Sequence, residues 1–187
     1  SANGSFVFAA MLTHGGTYLV SVKTQPAGQT CVVASGTGTL SGTVSSVSVT
    51  CSDNTHTVGG TLSGLAAGRE VVLQLNGAND LTRTGDGSFV FAGTVTYGGT
   101  YSVTVRTQPA GQTCSVGNGS GTATGDIGNV SVSCSTNSYS VGGSITGLGA
   151  GKTVVLQNNA TDDLSRTVNG SFVFSTAIPY GSTYAVS

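Results

Sequence analysis

The amino-acid sequence predicts an all-β chain, and three observations lead to that prediction. Val, Thr, Ser and Gly dominate the composition; Val and Thr suit strands, and Gly suits the turns between them. The apolar runs are short, alternate with polar residues and are separated by Gly-rich turns. No stretch has the 3.6-residue periodicity of an amphipathic helix. We therefore expect short strands joined by tight turns throughout the chain.

An internal repeat organises these strands. The octapeptide TQPAGQTC begins at Thr24 and again at Thr107, so it recurs at an offset of 83 residues. The pentapeptide GSFVF recurs at the same offset and begins at Gly4, Gly87 and Gly170. A fixed long period of this kind is typical of tandem arrays of one structural unit.

Two polar breaks, SDNTH (52–56) and STNSY (135–139), predict where the units begin and end. We define a first segment (1–54), a central segment (55–137) and a third segment (138–187). The central segment is one complete repeat, the first is the C-terminal part of an earlier repeat, and the third is the N-terminal part of a later one. The chain is therefore expected to be a piece of a longer array, or to have its ends completed by neighbouring chains.

The central segment is predicted to contain seven strands, each short and bounded by turn residues. They are 57–64, 70–76, 80–84, 87–93, 100–108, 112–117 and 129–135. Seven short strands with turns at intervals of about 8–12 residues are typical of an immunoglobulin-like (Ig-like) β-sandwich. The sequence thus predicts tandem seven-stranded Ig-like modules with an 83-residue period.

Strict alternation within the strands predicts the core face. Phe89 and Phe91 point to one side and Val90 to the other. The other residues predicted to face the core are Val71, Leu73, Tyr101, Val103, Val105, Cys114, Val116, Val130, Val132 and Cys134. The cysteines therefore lie on an apolar face, where an inter-strand or inter-sheet disulfide would form.

The four cysteines, Cys31, Cys51, Cys114 and Cys134, are expected to form disulfides. None forms a Cys-x-x-Cys pair, so no zinc or other metal site is predicted. An even number at regular spacing indicates an oxidising compartment. Pairing Cys31 with Cys51 and Cys114 with Cys134, one disulfide per module, is the simplest of the three connectivities that four cysteines allow.

The residues of the central segment also resemble known families. VGGTLSGL (58–65), VVLQLNG (71–77) and TRTGDGSFVFAGTVTYGGTYSVTV (82–105) resemble carboxypeptidase-regulatory-like and Cna-B-like, prealbumin-like β-sandwich modules. The tail PAGQTC…VSVSC resembles Ig-like repeats of very large bacterial surface proteins. The resemblance implies a stalk, adhesin or filament. It does not extend to the Lys–Asn isopeptide bond of Cna-B-like modules, because Lys23 aligns with Arg106 and Lys152 with Arg69.

Composition excludes several classes of partner. Charged residues make up only 7% of the chain and the net charge is −1, so there is no basic patch for nucleic acid or anionic lipid. No apolar run approaches the roughly 20 residues of a membrane span. Ser1 to Ala10 do not resemble a signal peptide, so any export signal is expected to lie outside this chain.

No catalytic group or cofactor site is predicted. A cysteine nucleophile needs a partnered base, but the only histidines, His14 and His56, align with Tyr97 and Tyr139. The base would therefore vanish from one copy to the next. We expect no enzyme activity.

The closest carboxylate pairs are Asp80 with Asp86 and Asp162 with Asp163. Paired carboxylates could indicate glycoside hydrolysis. However, Asp86 aligns with an Asn in each of the other two copies, and Asp-Gly and Asn-Gly are common turn pairs before a strand. A turn role is therefore expected.

The loops NGANDL and NATDDL are rich in oxygen ligands, which raises the alternative of a Ca²⁺ site. Their irregular spacing favours a polar loop instead, in which Asp80 pairs with Arg83 and Asp163 with Arg166. The Gly-rich stretch GNGSGTATG (117–125) has no P-loop lysine and is interpreted as a flexible connection between the two cysteine-bearing strands.

Two functions remain open from the sequence. The first is a structural, non-catalytic component of an extracellular bacterial filament, fibre or stalk, whose partners are neighbouring copies arranged head-to-tail or laterally. The alternative is an adhesin on the cell surface that recognises a glycan or protein. Tyr97 and Tyr180 are predicted at loop tips and are the aromatic residues that this alternative would use.

Overall fold

The computed structural model describes residues 3–187, and the chain is all-β: no residue in this range is helical. The first segment contains β1 (Thr17–Leu19), β2 (Gln29–Ala34), β3 (Thr37–Thr39) and β4 (Ser48–Asp53). The central segment contains β5 (Thr55–Ser63), β6 (Val71–Leu75), β7 (Asn79–Arg83), β8 (Gly87–Thr96), β9 (Thr100–Thr107), β10 (Gln112–Gly117), β11 (Ser120–Thr122) and β12 (Ile127–Thr136). The third segment contains β13 (Ser138–Tyr139), β14 (Gly142–Ile145), β15 (Val154–Asn158), β16 (Asp162–Arg166), β17 (Gly170–Val173) and β18 (Ile178–Pro179).

The central segment forms two four-stranded sheets, with strand orders β10-β12-β5-β8 and β11-β9-β6-β7. Their inner faces supply one continuous apolar cluster, in which Val58, Leu73 and Val130 are almost completely buried. Phe89 and Phe91 are both only 3% exposed, and the intervening Val90 is exposed, which confirms the predicted alternation. The two phenyl rings meet edge to face, with centroids 5.8 Å apart.

The first and last strands of the central segment, β5 and β12, lie side by side and are parallel. The start of β5 and the end of β12 are therefore at opposite ends of the sheet, about 33 Å apart for a ten-residue strand. Gly60 makes this close approach possible, because a β-carbon there would overlap the backbone carbonyl of Val130. The chain thus enters this segment at one end and leaves it at the other.

The flanking segments form smaller, two-stranded sheets. In the first segment β1 pairs with β3 and β2 with β4; in the third, β13 pairs with β18, β14 with β17 and β15 with β16. Their registers match those of the central segment. Gly143, for example, is opposite Phe172 in β14–β17, just as Gly60 is opposite Phe89 in β5–β8.

The structure corrects one predicted connection, and two stretches form less strand than their counterparts in the central segment. The stretch 117–125 is not only a connection, because it contains an eighth strand, β11, which pairs with β9. Residues 4–16, which include the first GSFVF copy, form no strand. In the third segment the counterpart of β9 is reduced to a single bridge between Asn158 and Val186. A strand needs a paired neighbour to satisfy its backbone, and within residues 3–187 the stretch 4–16 lacks the counterpart of β5 with which β8 pairs. The stretch around Val186 keeps its contact with β15 but, in the same range, has no counterpart of β11 on its other side.

Candidate functional site

The two disulfides join Cys31 to Cys51 and Cys114 to Cys134. In each pair the two cysteines are directly opposite in neighbouring antiparallel strands, β2–β4 and β10–β12, and their Cα atoms are 3.9 Å apart. The bonds therefore connect strands of one sheet and do not cross between sheets. Each closes a sequence separation of 20 residues, worth about 3 kcal/mol in the chain-entropy model.

The octapeptide that ends at each first cysteine folds onto itself. In the second copy the Gln108 side chain brackets Cys114: its Oε1 accepts from the Cys114 N–H at 2.7 Å and its Nε2 donates to the Cys114 carbonyl at 3.0 Å. Gln25 makes the same two bonds to Cys31. Between Gln108 and Cys114, Pro-Ala-Gly forms a tight turn, with Gly111 at φ 73°, a left-handed conformation that glycine adopts without strain.

In both copies, a tyrosine of the following segment packs against this turn. Tyr97, at the tip of the β8–β9 hairpin, lies with its ring against Gly28 of the first segment, where a β-carbon would overlap the ring. The Tyr97 N–H donates to the Asn54 carbonyl at 2.8 Å, and the Asn54 N–H donates to the Gly28 carbonyl at 2.8 Å. The Thr30 hydroxyl donates to the Asn54 side chain at 2.7 Å. We call Gly28, Thr30, Asn54 and Tyr97 the first junction.

A second junction of the same design links the central and third segments. Tyr180 lies against Gly111 and donates its N–H to the Asn137 carbonyl at 2.8 Å. The Asn137 N–H donates to the Gly111 carbonyl at 2.9 Å, and the Thr113 hydroxyl donates to the Asn137 side chain at 2.7 Å. We call Gly111, Thr113, Asn137 and Tyr180 the second junction. Every hydrogen bond of the first junction therefore recurs in the second.

Further aromatic and cationic groups surround the two tyrosines. The rings of His56 and Tyr97 have centroids 6.1 Å apart at the first junction. At the second, the Arg69 guanidinium lies 5.6 Å from the centroid of the Tyr180 ring, within the range of a cation–π contact, and Tyr139 is 6.5 Å from Tyr180.

One carboxylate supports the start of β5. Asp126 accepts the Thr57 N–H at 2.8 Å, and its Oδ1 is 3.6 Å from Nδ1 of His56. The bond from the Thr57 N–H, assisted by His56, lowers the pKa of the Asp126 carboxyl, because both favour its charged form. Asp126 therefore contributes to the end of the sandwich that adjoins the first segment.

The remaining carboxylates have structural partners. Asp86 accepts the N–H groups of Gly64 and Leu65, both at 2.9 Å, and so stabilises a turn. Asp162 accepts from the Thr176 N–H and from the Ser175 hydroxyl, both at 2.8 Å, which lowers the pKa of its carboxyl. These bonds hold neighbouring turns in place.

The predicted pairing of Asp80 with Arg83 is wrong. Asp80 instead forms an ion pair with Arg106 of β9 and accepts from Gln74 at 2.7 Å, since all three side chains lie on the outer face of the β11-β9-β6-β7 sheet. Asp163 likewise accepts from Gln157 at 2.6 Å, and no ion pair to Arg166 is present within residues 3–187. Neighbouring strands, and not sequence neighbours, supply these partners.

The sequence prediction included the four cysteines but missed the junction contacts. The sequence predicts Tyr97 and Tyr180 only as loop-tip residues for ligand binding and gives no contact for Gly28 or Gly111. A signal was nevertheless present, because tyrosine and glycine each recur at the 83-residue offset. The 83-residue period indicates that the tyrosine and the glycine belong to the repeated unit, but it does not indicate that the two residues are in contact.

Comparisons with protein families, curated proteins and solved structures found no match. Within the described range, no group of three or more potential metal ligands is present, and no helix is long and apolar enough to cross a membrane. The fold and the cysteines define an all-β, disulfide-containing protein, and its two disulfides indicate an oxidising environment.

Proposed function

We propose that this chain is a structural, non-catalytic part of an extracellular bacterial stalk or filament built from tandem Ig-like repeats. The parallel pairing of β5 with β12 is the observation that supports this proposal best. Because the chain enters and leaves the central segment at opposite ends, successive repeats are placed end to end and the array becomes extended. An antiparallel first and last strand would instead return the chain to the end at which it entered.

The short connections between segments support a stiff array. A single residue, Asn54, separates β4 from β5, and a single residue, Asn137, separates β12 from β13. Backbone hydrogen bonds fix both asparagines from both sides. Each junction therefore restricts bending between neighbouring segments, whereas a flexible linker of several residues would not.

The state of the cysteines also favours a structural function. All four are joined in disulfides, so none is available as a thiolate nucleophile. The two sheets of the central segment, with the disulfide inside one of them, are compatible with an Ig-like module that carries an additional short strand, β11. In such a module the disulfide stabilises a small core.

The proposal predicts a fixed orientation between the central and third segments. Residual dipolar couplings measured by NMR on the full chain should fit one common alignment tensor for both. Gly111→Ala should separate the two tensors, because the new methyl group displaces the Tyr180 ring. Gly68→Ala is a matched control: Gly68 has the same φ of 73°, but a β-carbon there contacts nothing.

Electron microscopy or small-angle scattering gives an independent test. The proposal predicts a rod that lengthens with each added 83-residue repeat by one strand length plus a short connection. At a rise of about 3.3 Å per residue, this increment is roughly 35–40 Å. Independent alignment tensors in the unaltered chain, or a bent and variable particle, would contradict the proposed stalk.

The alternative function, an adhesin that binds a surface glycan or protein, depends on exposed aromatic rings. Tyr97 and Tyr180 are 42% and 45% exposed, so each keeps an accessible ring edge while its other side contacts glycine. Saturable binding to a glycan array, abolished by Tyr180→Ala, would favour this alternative over the stalk.

A further inference from the structure

The two sheets of the central segment differ in charge. The four strands β10, β12, β5 and β8 contain no Asp, Glu, Lys or Arg, and His56 is their only ionisable ring. The opposite sheet carries Asp80, Arg83 and Arg106. One broad face of the sandwich is therefore uncharged, and the other carries an ion pair.

Small hydroxyl side chains cover the outer face of the uncharged sheet. Its inward residues form the core, and the outward ones alternate with them and, apart from Gly59 beside Val90, are exposed. The hydroxyls stand in two rows across the strands, set by the register: Ser115, Ser133 and Ser63 in one row, and Ser131, Thr61 and Ser88 in the next. We call these six residues the hydroxyl face. Adjacent rows are about 6.6 Å apart along the strands.

The edge of this sheet is also unprotected by charge. β8 is an edge strand of ten residues in the described structure, with Val90 exposed at its centre. Natural edge strands are usually short, charged or interrupted by proline, because a long uncharged edge pairs readily with another chain. β8 has none of these features.

We propose that the hydroxyl face is a lateral interface that binds the same face of a second copy of this chain. Each hydroxyl is both a donor and an acceptor, so the face is complementary to itself. The absence of charge removes repulsion between copies and offers nothing to a strongly charged partner. This inference rests on the proposed tandem array, because only a partner with the same period matches one such face per repeat.

The size of the face explains why several repeats are needed. The four strands lie about 4.8 Å apart and have six to ten residues, or about 20–33 Å, so the face presents at most roughly 600 Å². A stable interface buries about 800 Å² on each partner, so a single face is too small to hold two chains together. When the hydroxyl faces of successive repeats bind the same partner chain together, the affinity between the two chains rises by about 10²-fold or more for the second face that binds.

The experiment compares association of the full chain with that of a lengthened chain in which residues 55–137 occur three times in succession. Sedimentation velocity over a range of concentrations should show an apparent Kd at least about 10²-fold lower for the lengthened chain. Thr61→Lys with Ser133→Lys in each repeat should abolish association. The matched control, Thr82→Lys with Thr104→Lys, adds the same charge to exposed positions of the opposite sheet and should leave it intact.

The outcomes separate the two proposals. A lengthened chain that stays monomeric, or equal loss in both lysine variants, overturns the lateral interface. If the same chain is still a straight rod by electron microscopy, the proposed stalk survives. Circular dichroism of both variants checks that they fold, which is expected because all four substituted positions are exposed.

Discussion

The pentapeptide GSFVF has one sequence and different structures in the first and central segments. At 87–91 it lies within the ten-residue strand β8 and buries Phe89 and Phe91 in the core. At 4–8 it forms no strand, and Phe6 and Phe8 are 48% and 63% exposed. The central copy pairs with β5, whereas the first copy has no such neighbour among the described residues. The alternation marks which side of a strand will face a core, but the paired strand decides whether the strand forms.

The largest expected effect comes from truncating the equivalent phenylalanines. Phe89→Ala should lower the free energy of unfolding of the central segment by about 3–5 kcal/mol, because it leaves a cavity between the sheets. Phe6→Ala should change it by less than about 0.5 kcal/mol. Denaturant titration followed by amide hydrogen exchange of β6 measures both. Equal losses would mean that the first GSFVF copy is also packed in a core.

The disulfides give the next comparison. Replacing Cys114 and Cys134 together with Ala should cost the central segment about 3 kcal/mol, since the unfolded chain loses a closed loop. The same replacement of Cys31 and Cys51 should leave hydrogen exchange in β6 unchanged, because that bond lies between β2 and β4. A matching loss from both pairs would show that the segments unfold as one cooperative unit.

Two aligned glycines, Gly60 and Gly143, have different surroundings in the central and third segments. Gly60→Ala should destabilise the central segment by about 1–3 kcal/mol, because the new β-carbon meets the rigid Val130 carbonyl of β12. At Gly143 the same methyl meets only the edge of the Phe172 ring, at 3.1 Å, which can turn aside. Gly143→Ala should therefore cost less in its own segment. The reverse ranking in thermal melts would argue against the parallel β5–β12 contact.

The smallest expected effect is a pH dependence at Asp126. Its folded-state pKa is lowered below the ordinary value of about 3.9, chiefly by the Thr57 N–H and further by His56. The charged carboxylate therefore stabilises the fold above pH 4, and this contribution is lost as the pH falls through the lowered pKa. NMR titration of the Asp126 side chain should give a midpoint below 3.9. A midpoint at or above that value would show that the Thr57 bond does not form in solution.

The amino-acid sequence was enough to predict the all-β class, the inward face of five of the central strands and the spacing of the cysteines that become partners. These features follow from short-range alternation and from a repeat visible by inspection. The inward direction of Phe89 and Phe91 in β8, for instance, needed no tertiary information.

Which groups meet depends on the tertiary structure. It paired Asp80 with Arg106 instead of Arg83, added β11 to the sheet edge and set Tyr97 and Tyr180 against glycines more than 60 residues away. The physical reason is that alternation fixes the direction of a side chain relative to its own strand, and nothing more. The residues that a side chain contacts across the sheet, or in the next segment, depend on how strands distant in sequence pair. In this chain, that pairing requires a partner strand to be present.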